Sequence, residues 1–381
     1  MANVAVVAPE DLPIPPLSGG SVQIYLHSLM RALNNRTAPG HSRITLISPG
    51  KRPKRWLSAP HLHAVSVGGP ASRYRDKVLH LLQDLRPEVV QIDNRPDFVF
   101  AVKRLLPKSK IVLNLHSTTF LGPQNISPVL ARKALSIADV VVVNSRYLKR
   151  LIEQKHRMAT ASWNVRVIYP GVELDRFDKS HAGKNLSTGA SRAPNPRSPF
   201  HILYVGRVIR QKGVDVLVDA IRQLHGRKIP VELTVVGKTP PWERNYAKKI
   251  RASAKNLPIR FKGFVSPQKL PQSYWQADVL VCPSQWREAF GLVNVEALAA
   301  GLPVIASRLG GIREIVDDTC GILVPSYRSA RSFANAIEQL QSNPGLHEKL
   351  KQGAKKRAAE FTWHETARQF SKLYDDLSGS R

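Results

Sequence analysis

The sequence predicts an α/β protein built from two Rossmann-like, doubly wound domains. Three observations carry that expectation. The chain has 381 residues, enough for two full hydrophobic cores. Short apolar runs alternate with amphipathic helical stretches, the pattern of a parallel sheet covered on both faces. The alternation breaks once, from Ser180 to Pro199, where Gly, Ser, Asn, Pro and Arg replace apolar periodicity, and then restarts.

In the first half, strands are predicted at Asn3–Ala8, Ile44–Ser48, Val89–Ile92, Ile111–Leu115, Val140–Asn144 and Val165–Ile168. Helices fall between them, as at Ser21–Leu33 and Asp76–Leu85. After the break, strands are predicted at His201–Val205, Val231–Val236, Ile259–Phe261, Val279–Cys282, Val304–Ala306 and Gly321–Val324. A last helix, Trp363 to Leu377, rests on the spacing of Phe370, Leu373, Tyr374 and Leu377. The expected organisation is a first domain over 1–175, a linker over 176–199 and a second domain over 200–362, followed by the terminal helix 363–381. Two such domains make a cleft, and open parallel sheets bind ligands beyond the carboxyl ends of their strands.

Composition narrows the class. The hydrophobic fraction of 43% is that of a globular protein. No apolar run approaches the ~20 residues needed to cross a bilayer. Met1 to Ala8 reads as a strand ending at Pro9 rather than a signal peptide, so a cytoplasmic location is expected. Cys282 and Cys320 sit in apolar contexts without zinc or disulfide spacing and read as buried thiols. The charge is +29, and residues 1–170 alone hold 24 basic against 9 acidic residues. Clusters stand at Lys51 to Trp56, Arg73 to Lys77 and Lys103 to Lys110. Three readings stay open: an anionic membrane face, anionic polymers, or a basic soluble protein. A few clustered cations at roughly 1 kcal/mol each suffice for peripheral membrane docking. Nucleic acid is not expected, since no zinc finger, RNA-binding signature or aromatic-basic alternation is present.

The stretch from Trp286 to Ser307, WREAFGLVNVEALAAGLPVIAS, is the most telling. It reads as a loop carrying Glu288, a helix opened at Gly291 and closed at Gly301, and a buried strand. Backbone N–H groups of Phe290, Gly291, Leu292 and Val293 converge near a carboxylate, and a helix N-terminus attracts phosphate and sugar oxygens. Glu296 lies one to two turns into that helix. An ordinary amphipathic helix with solvated glutamates is the competing reading, but a glutamate inside an apolar helix argues against it. Arg207 and Lys212 bracket the start of the helix after strand His201–Val205, an arrangement suited to an anion or to two plain surface cations. Gly19 and Gly20 follow the first strand and let backbone approach a ligand closely. His116 ends strand Ile111–Leu115. Asn144 and Ser145 follow another strand, at the same carboxyl edge of the sheet.

These residues resemble the Glu-x7-Glu motif of the retaining glycosyltransferases of family 4, which have the GT-B fold. The resemblance runs in order through Pro15–Leu33, LNLHS (Leu113 to Ser117), VVNSRYLKR (Val142 to Arg150) and VIYPGVELDRF (Val167 to Phe177). It continues through Tyr204–Ala220, Val235–Gly237, Phe261–Val265 and Val279–Ser284. LPIPPLSGGSVQIYL, Asn94 to Phe98 and CPSQWREAFGLVNVEAL are similar to the spore-coat-associated members of spore-forming bacteria.

The resemblance implies transfer of a sugar from a nucleotide-diphosphate donor, most readily a UDP-sugar, to a glycan, lipid-linked or cell-surface acceptor. It implies no cofactor and no metal, and the sequence has no Asp-x-Asp motif. Arg207 and Lys212 would hold the diphosphate, and Glu288 the donor-sugar hydroxyls. Glu296 would take both ribose hydroxyls, and His116 the donor sugar. Asn144 and Ser145 would have an acceptor-side role. Gly19 and Gly20 would meet the phosphate, and the Phe264 and Val265 backbone the nucleobase. Pro170 replaces the Asn usual before the glycine of the hinge-side loop, which removes that side chain's polar contact. A silent structural coat component of the same fold, and a sugar-nucleotide epimerase, are the alternatives.

Overall fold

In this computed structural model, residues 2–15, 20–35, 42–50, 54–59, 62–156, 164–181 and 199–379 are described, with only the backbone described for 54–59 and 181. The chain forms two compact units, Met1–Gly171 with Trp363–Arg381, and Val172–Thr362.

The first unit contains strands β1 (Asn3–Val7), β2 (Arg43–Gly50), β3 (Lys54–Ala59), β4 (Leu62–Gly68), β5 (Val89–Asp93), β6 (Lys110–Leu115), β7 (Val140–Val143) and β8 (Val165–Val167). They form one sheet in the order β3-β4-β2-β1-β5-β6-β7-β8. Every pairing is parallel except β3 with β4. The β3–β4 pair has no counterpart in the sequence reading. The inward positions of β4 are Leu62, Ala64, Ser66 and Gly68, a face too poor in large apolar residues to announce a strand. The order reverses direction between β1 and β5, and such a switch point is where an open sheet receives ligands.

The terminal helix Trp363–Ser378 belongs to this unit. Trp363, Ala367, Phe370, Leu373 and Tyr374 are buried in the same core as Val4 and Val6 of β1 and Leu26 and Leu29 of helix Ser21–Asn34. Their spacing puts them on one helical stripe, and that stripe covers the sheet.

The second unit contains β9 (Phe200–Val205), β10 (Val231–Val236), β11 (Ile259–Gly263), β12 (Val279–Cys282), β13 (Val304–Ser307) and β14 (Gly321–Val324). Their order is β11-β10-β9-β12-β13-β14, and all pairings are parallel. This is the Rossmann order, with its switch point between β9 and β12. The early part of the segment read as a linker is structured. Leu174–Phe177 is a short helix, and buried Phe177 lies edge-on to the Tyr274 ring with its carbonyl accepting from Trp275 Nε1 at 2.6 Å. Residues 182–198 of that segment lie outside the described residues.

Candidate functional site

The second unit gathers its chemistry at its switch point. The loop after β9 carries Arg207 and Lys212; the loop after β12 carries Ser284 and Glu288. The two loops are stitched together where the Gln285 N–H donates to the Gln211 carbonyl at 2.8 Å. Gly213 makes that approach possible. A Cβ there would stand 2.0 Å from the Pro283 carbonyl oxygen, and its φ of +68° is one that other residues rarely adopt. The loop carrying Glu288 is held from its other side by Gly311, whose N–H donates to the Glu288 carbonyl at 2.8 Å. A Cβ on Gly311 would meet the Ala289 carbonyl oxygen at 2.2 Å.

Glu288 is buried, and one of its oxygens, Oε1, accepts from both Lys212 Nζ and Ser284 Oγ at 2.5 Å each. Burial by itself raises a carboxyl pKa, but the Lys212 ammonium and these hydrogen bonds outweigh it and hold Glu288 below the usual carboxylate range. Glu288 is therefore held in its ionised form beside Lys212. A side-chain hydrogen bond from Trp286 also favours the ionised form, so the carboxylate is an anionic acceptor beside a fixed cation. Arg207 is exposed, and its guanidinium forms no ion pair among the described residues.

Next to Glu288 begins helix Leu292–Ala299, with Gly291 at its N-cap and no side chain capping the first turn. Its far end is closed by two bonds, Gly301 N–H to Leu298 and Leu302 N–H to Ala297, at 2.9 Å each. This pairing is a Schellman motif. Phe290 is buried with its ring against Phe361, so its ring is occupied by the core. Glu296 Oε2 accepts from the Tyr274 hydroxyl at 2.7 Å. Burial pushes the Glu296 carboxyl above its ordinary range, with the Tyr274 hydrogen bond and Arg176 opposing. Phe264 stands 42% exposed just past β11, with the Lys238 ammonium 4.4 Å from its ring centre. Val265 follows it, half-buried. Cys282, behind Glu288, has its thiol pushed up to about 11, first by burial and then by the Glu288 charge, so it is an unreactive core residue.

The first unit gathers a second set at its own switch point. His116 follows β6, and its Nε2 lies 2.9 Å from Oδ1 of Asp93, the last residue of β5. Its ring is edge-on to Tyr25 at 4.5 Å, and its backbone N–H donates to Asn94 Oδ1 at 2.8 Å. Asn144 Nδ2 donates to the His116 carbonyl at 3.1 Å, while its buried Oδ1 has no hydrogen-bond partner among the described residues. Ser145 departs from its expected acceptor-side role. It is fully buried, and its Oγ accepts the Leu148 N–H at 3.0 Å to cap helix Arg146–Lys155. A serine between strand and helix meets an orphan amide before it meets a ligand. Gly20, with φ +101°, is the N-cap of helix Ser21–Asn34, whereas Gly19 lies outside the described residues. Asp93, Ser284 and Tyr274 were not singled out from sequence. Ser284 ends the VLVCPS run, which was the available signal for it.

The basic clusters are partly engaged. Lys103 donates to the Ser109 carbonyl at 3.3 Å and Lys110 pairs with Asp139 at 3.3 Å, while Arg104 and Lys108 are exposed. Lys51, Arg52 and Pro53 lie outside the described residues. Among the described residues no group of His, Cys, Asp and Glu is arranged to hold a metal ion, and no helix is long and apolar enough to cross a membrane.

The two glutamates have opposite pH linkage. Glu288 is depressed in the folded state, so its contribution is present above its unfolded pKa and lost as pH falls through the folded one. Glu296 is raised, so its contribution is complete below the unfolded pKa and lost as pH rises through the folded one. Glu296→Gln removes the second linkage and keeps an acceptor for Tyr274. Its melting temperature relative to the parent should therefore climb between acidic and neutral pH. An offset that stays constant across that range would contradict the burial of the Glu296 charge.

Two family models match the chain. "Glycosyltransferase Family 4" covers residues 19–176, and "Glycosyl transferases group 1" covers residues 190–357. Spore coat protein SA of Bacillus subtilis is 27% identical over 98% of this chain and 99% of its own length. Among solved structures, sucrose-phosphate synthase of Thermosynechococcus elongatus superposes with a TM-score of 0.82, at 23% identity and full coverage of both chains. Anabaena HepE in complex with UDP-glucose gives 0.72 at 19% identity, covering 99% of this chain and 100% of its own. These likenesses establish the GT-B fold. With both halves matched in order by the two models, the chain belongs to the family 4 glycosyltransferases.

Proposed function

We propose that this protein is an active, retaining hexosyltransferase that takes its sugar from a nucleotide-diphosphate donor, UDP-linked in the first instance. The observation that carries the reading is the fixed Lys212–Glu288 pair, flanked by exposed Arg207 and by an uncapped helix N-terminus. This is a preorganised anion site with an acceptor carboxylate beside it. The UDP-glucose bound to the HepE neighbour supports the choice of donor.

In this reading Arg207 and Lys212 hold the diphosphate and stabilise the charge that grows on it as it leaves. Glu288 accepts from donor-sugar hydroxyls. Glu296 receives the ribose hydroxyls on the lone pairs that Tyr274 leaves open. The backbone of Gly20 and of Phe290 to Val293 meets phosphate and sugar, that of Phe264 and Val265 meets the base, and His116 meets the donor sugar. The bond from the anomeric carbon to phosphate oxygen breaks, and a bond to the acceptor oxygen forms on the same face. The acceptor's proton passes to the departing phosphate. Fixed cations supply the positive charge, so no metal is called for. The acceptor is a glycan, a lipid-linked sugar or a surface polymer, and the basic first unit brings the enzyme to it.

Loss of one such electrostatic contact costs ~3 kcal/mol in the transition state. Lys212→Ala should therefore lower turnover of a nucleotide sugar at least tenfold. It also strands the Glu288 charge, so Arg207→Ala is the cleaner companion: equal or larger than tenfold loss with an unchanged melting temperature. Full activity in both variants at saturating donor would remove the diphosphate assignment.

Chelation gives a second check. Turnover should survive EDTA; complete loss restored by Mn or Mg would place a metal in the reaction.

Attraction of the first unit to anionic lipid is screened over a Debye length of about 8 Å at physiological salt. Co-sedimentation with vesicles should require anionic lipid and weaken as salt rises. Replacing Lys51, Arg52, Lys54 and Arg55 by Ser should weaken it further and leave donor hydrolysis intact. Equal association with neutral vesicles would exclude the electrostatic route.

A further inference from the structure

Asp93 is a fully buried carboxylate whose oxygens are all engaged. Oδ1 accepts from Asn114 Nδ2 at 2.7 Å and faces His116 Nε2 at 2.9 Å. Oδ2 accepts from Gln91 Nε2 at 2.8 Å. Gln91 Oε1 in turn accepts from the hydroxyl of Tyr374, on the terminal helix, at 2.7 Å. Among the described residues no lysine or arginine pairs with Asp93. A buried anion without a cationic partner is expensive, and three side-chain donors are what keep it there.

The chain of bonds has a direction. Each of Tyr374, Gln91 and Asn114 donates toward Asp93, so every remaining lone pair on Oδ1 points to the imidazole as an acceptor. Nε2 of His116 has two polar neighbours, Asp93 Oδ1 at 2.9 Å and Asn114 Nδ2 at 3.4 Å; the amide donates to Asp93 at the shorter 2.7 Å, so Nε2 carries the proton toward the carboxylate in the neutral ring, and Nδ1 is left as the acceptor. Nδ1 has no hydrogen-bond partner among the described residues. The ring itself is boxed by Tyr25, edge-on at 4.5 Å, which in turn packs edge-on to Trp363 at 5.3 Å.

We propose that Asp93 is a positioning residue for the transfer reaction. It fixes His116 in the Nε2–H tautomer so that Nδ1 meets a hydroxyl of the donor sugar as an acceptor, and the terminal helix supports it through Tyr374 and Gln91. The inference rests on the reading of His116 as a sugar-contacting group. It adds the carboxylate, the tautomer and a reason for the terminal helix to reach the first unit's switch point. A His held this way by a buried carboxylate has its orientation set before substrate arrives, and misplacing the proton is costly even when geometry survives.

The test uses the full-length protein with 15N-labelled histidine. The His116 signals are identified by their loss in His116→Ala. Two-bond proton–nitrogen correlations should show the Nε2–H tautomer in the parent and lose that fixed pattern in Asp93→Asn. Nδ1–H in the parent would overturn the proposal whatever the activity. In turnover assays Asp93→Asn should lower kcat at least tenfold, with donor KM within about twofold and a retained cooperative melt. Tyr374→Phe should show a smaller loss of the same kind. Asp93→Asn placed on His116→Ala should lower kcat no further, because the carboxylate acts through the ring. Losses that multiply in the double variant would overturn the inference and leave Asp93 a structural residue. If Arg207→Ala abolishes turnover while Asp93→Asn retains it, this inference falls and the transferase reading stands. If the parent turns over no nucleotide sugar, the transferase reading falls, and the tautomer measurement still decides the role of Asp93.

Discussion

The buried Glu288 carboxylate, and the need to keep it charged, constrains most of what surrounds it. An ionised carboxylate removed from water costs several kcal/mol unless it is paired and hydrogen-bonded. Lys212 and Ser284 meet that demand on a single oxygen. To do so, two loops from either side of a sheet's switch point must lie against each other, which fixes Gly213 beneath the Pro283 carbonyl and Gly311 against Ala289. The same loop then delivers the chain into helix Leu292–Ala299 with its first amides uncapped. One electrostatic requirement thus places the cation, the anion and the helix terminus within a single rigid neighbourhood.

The first unit solves a parallel problem with different chemistry. There the buried anion is Asp93, and neutral amides and a tyrosine hydroxyl replace the lysine. The result is a carboxylate whose remaining capacity faces an imidazole. The terminal helix is part of that solution: its apolar stripe completes the core, and Tyr374 extends the hydrogen-bond chain to Gln91. Both units therefore put their charged groups at the carboxyl ends of the strands flanking a reversal in strand order, where backbone donors and loops converge.

Much of this was legible in the sequence. Strands such as Val140–Val143 are continuous apolar runs because they are covered on both faces, and the helices between them show their stripe. Gly291 and Gly301 announced the ends of one helix, and Glu288, Arg207 and Lys212 stood out by motif and position. What stayed hidden was set by three-dimensional pairing. The β3–β4 pair hid because the inner face of β4 is built from small and polar residues. Asp93 looked like one more strand-end aspartate, since nothing local shows that its oxygens meet Asn114, Gln91 and His116. Ser145 looked like a site residue because a serine after a strand suits both a ligand and a helix cap, and the cap won.

The central claim is that fixed protein cations and a fixed carboxylate make this a working sugar-transfer site. Its most direct test is product analysis on purified protein supplied with UDP-, GDP- and ADP-sugars and a glycan or lipid-linked acceptor mixture, with NMR assignment of the new anomeric centre. The account predicts a glycosylated product that keeps the donor's anomeric configuration, formed by the parent and at least tenfold slower by Arg207→Ala. An inverted product, an epimerised free nucleotide sugar, or no turnover of any donor would contradict it.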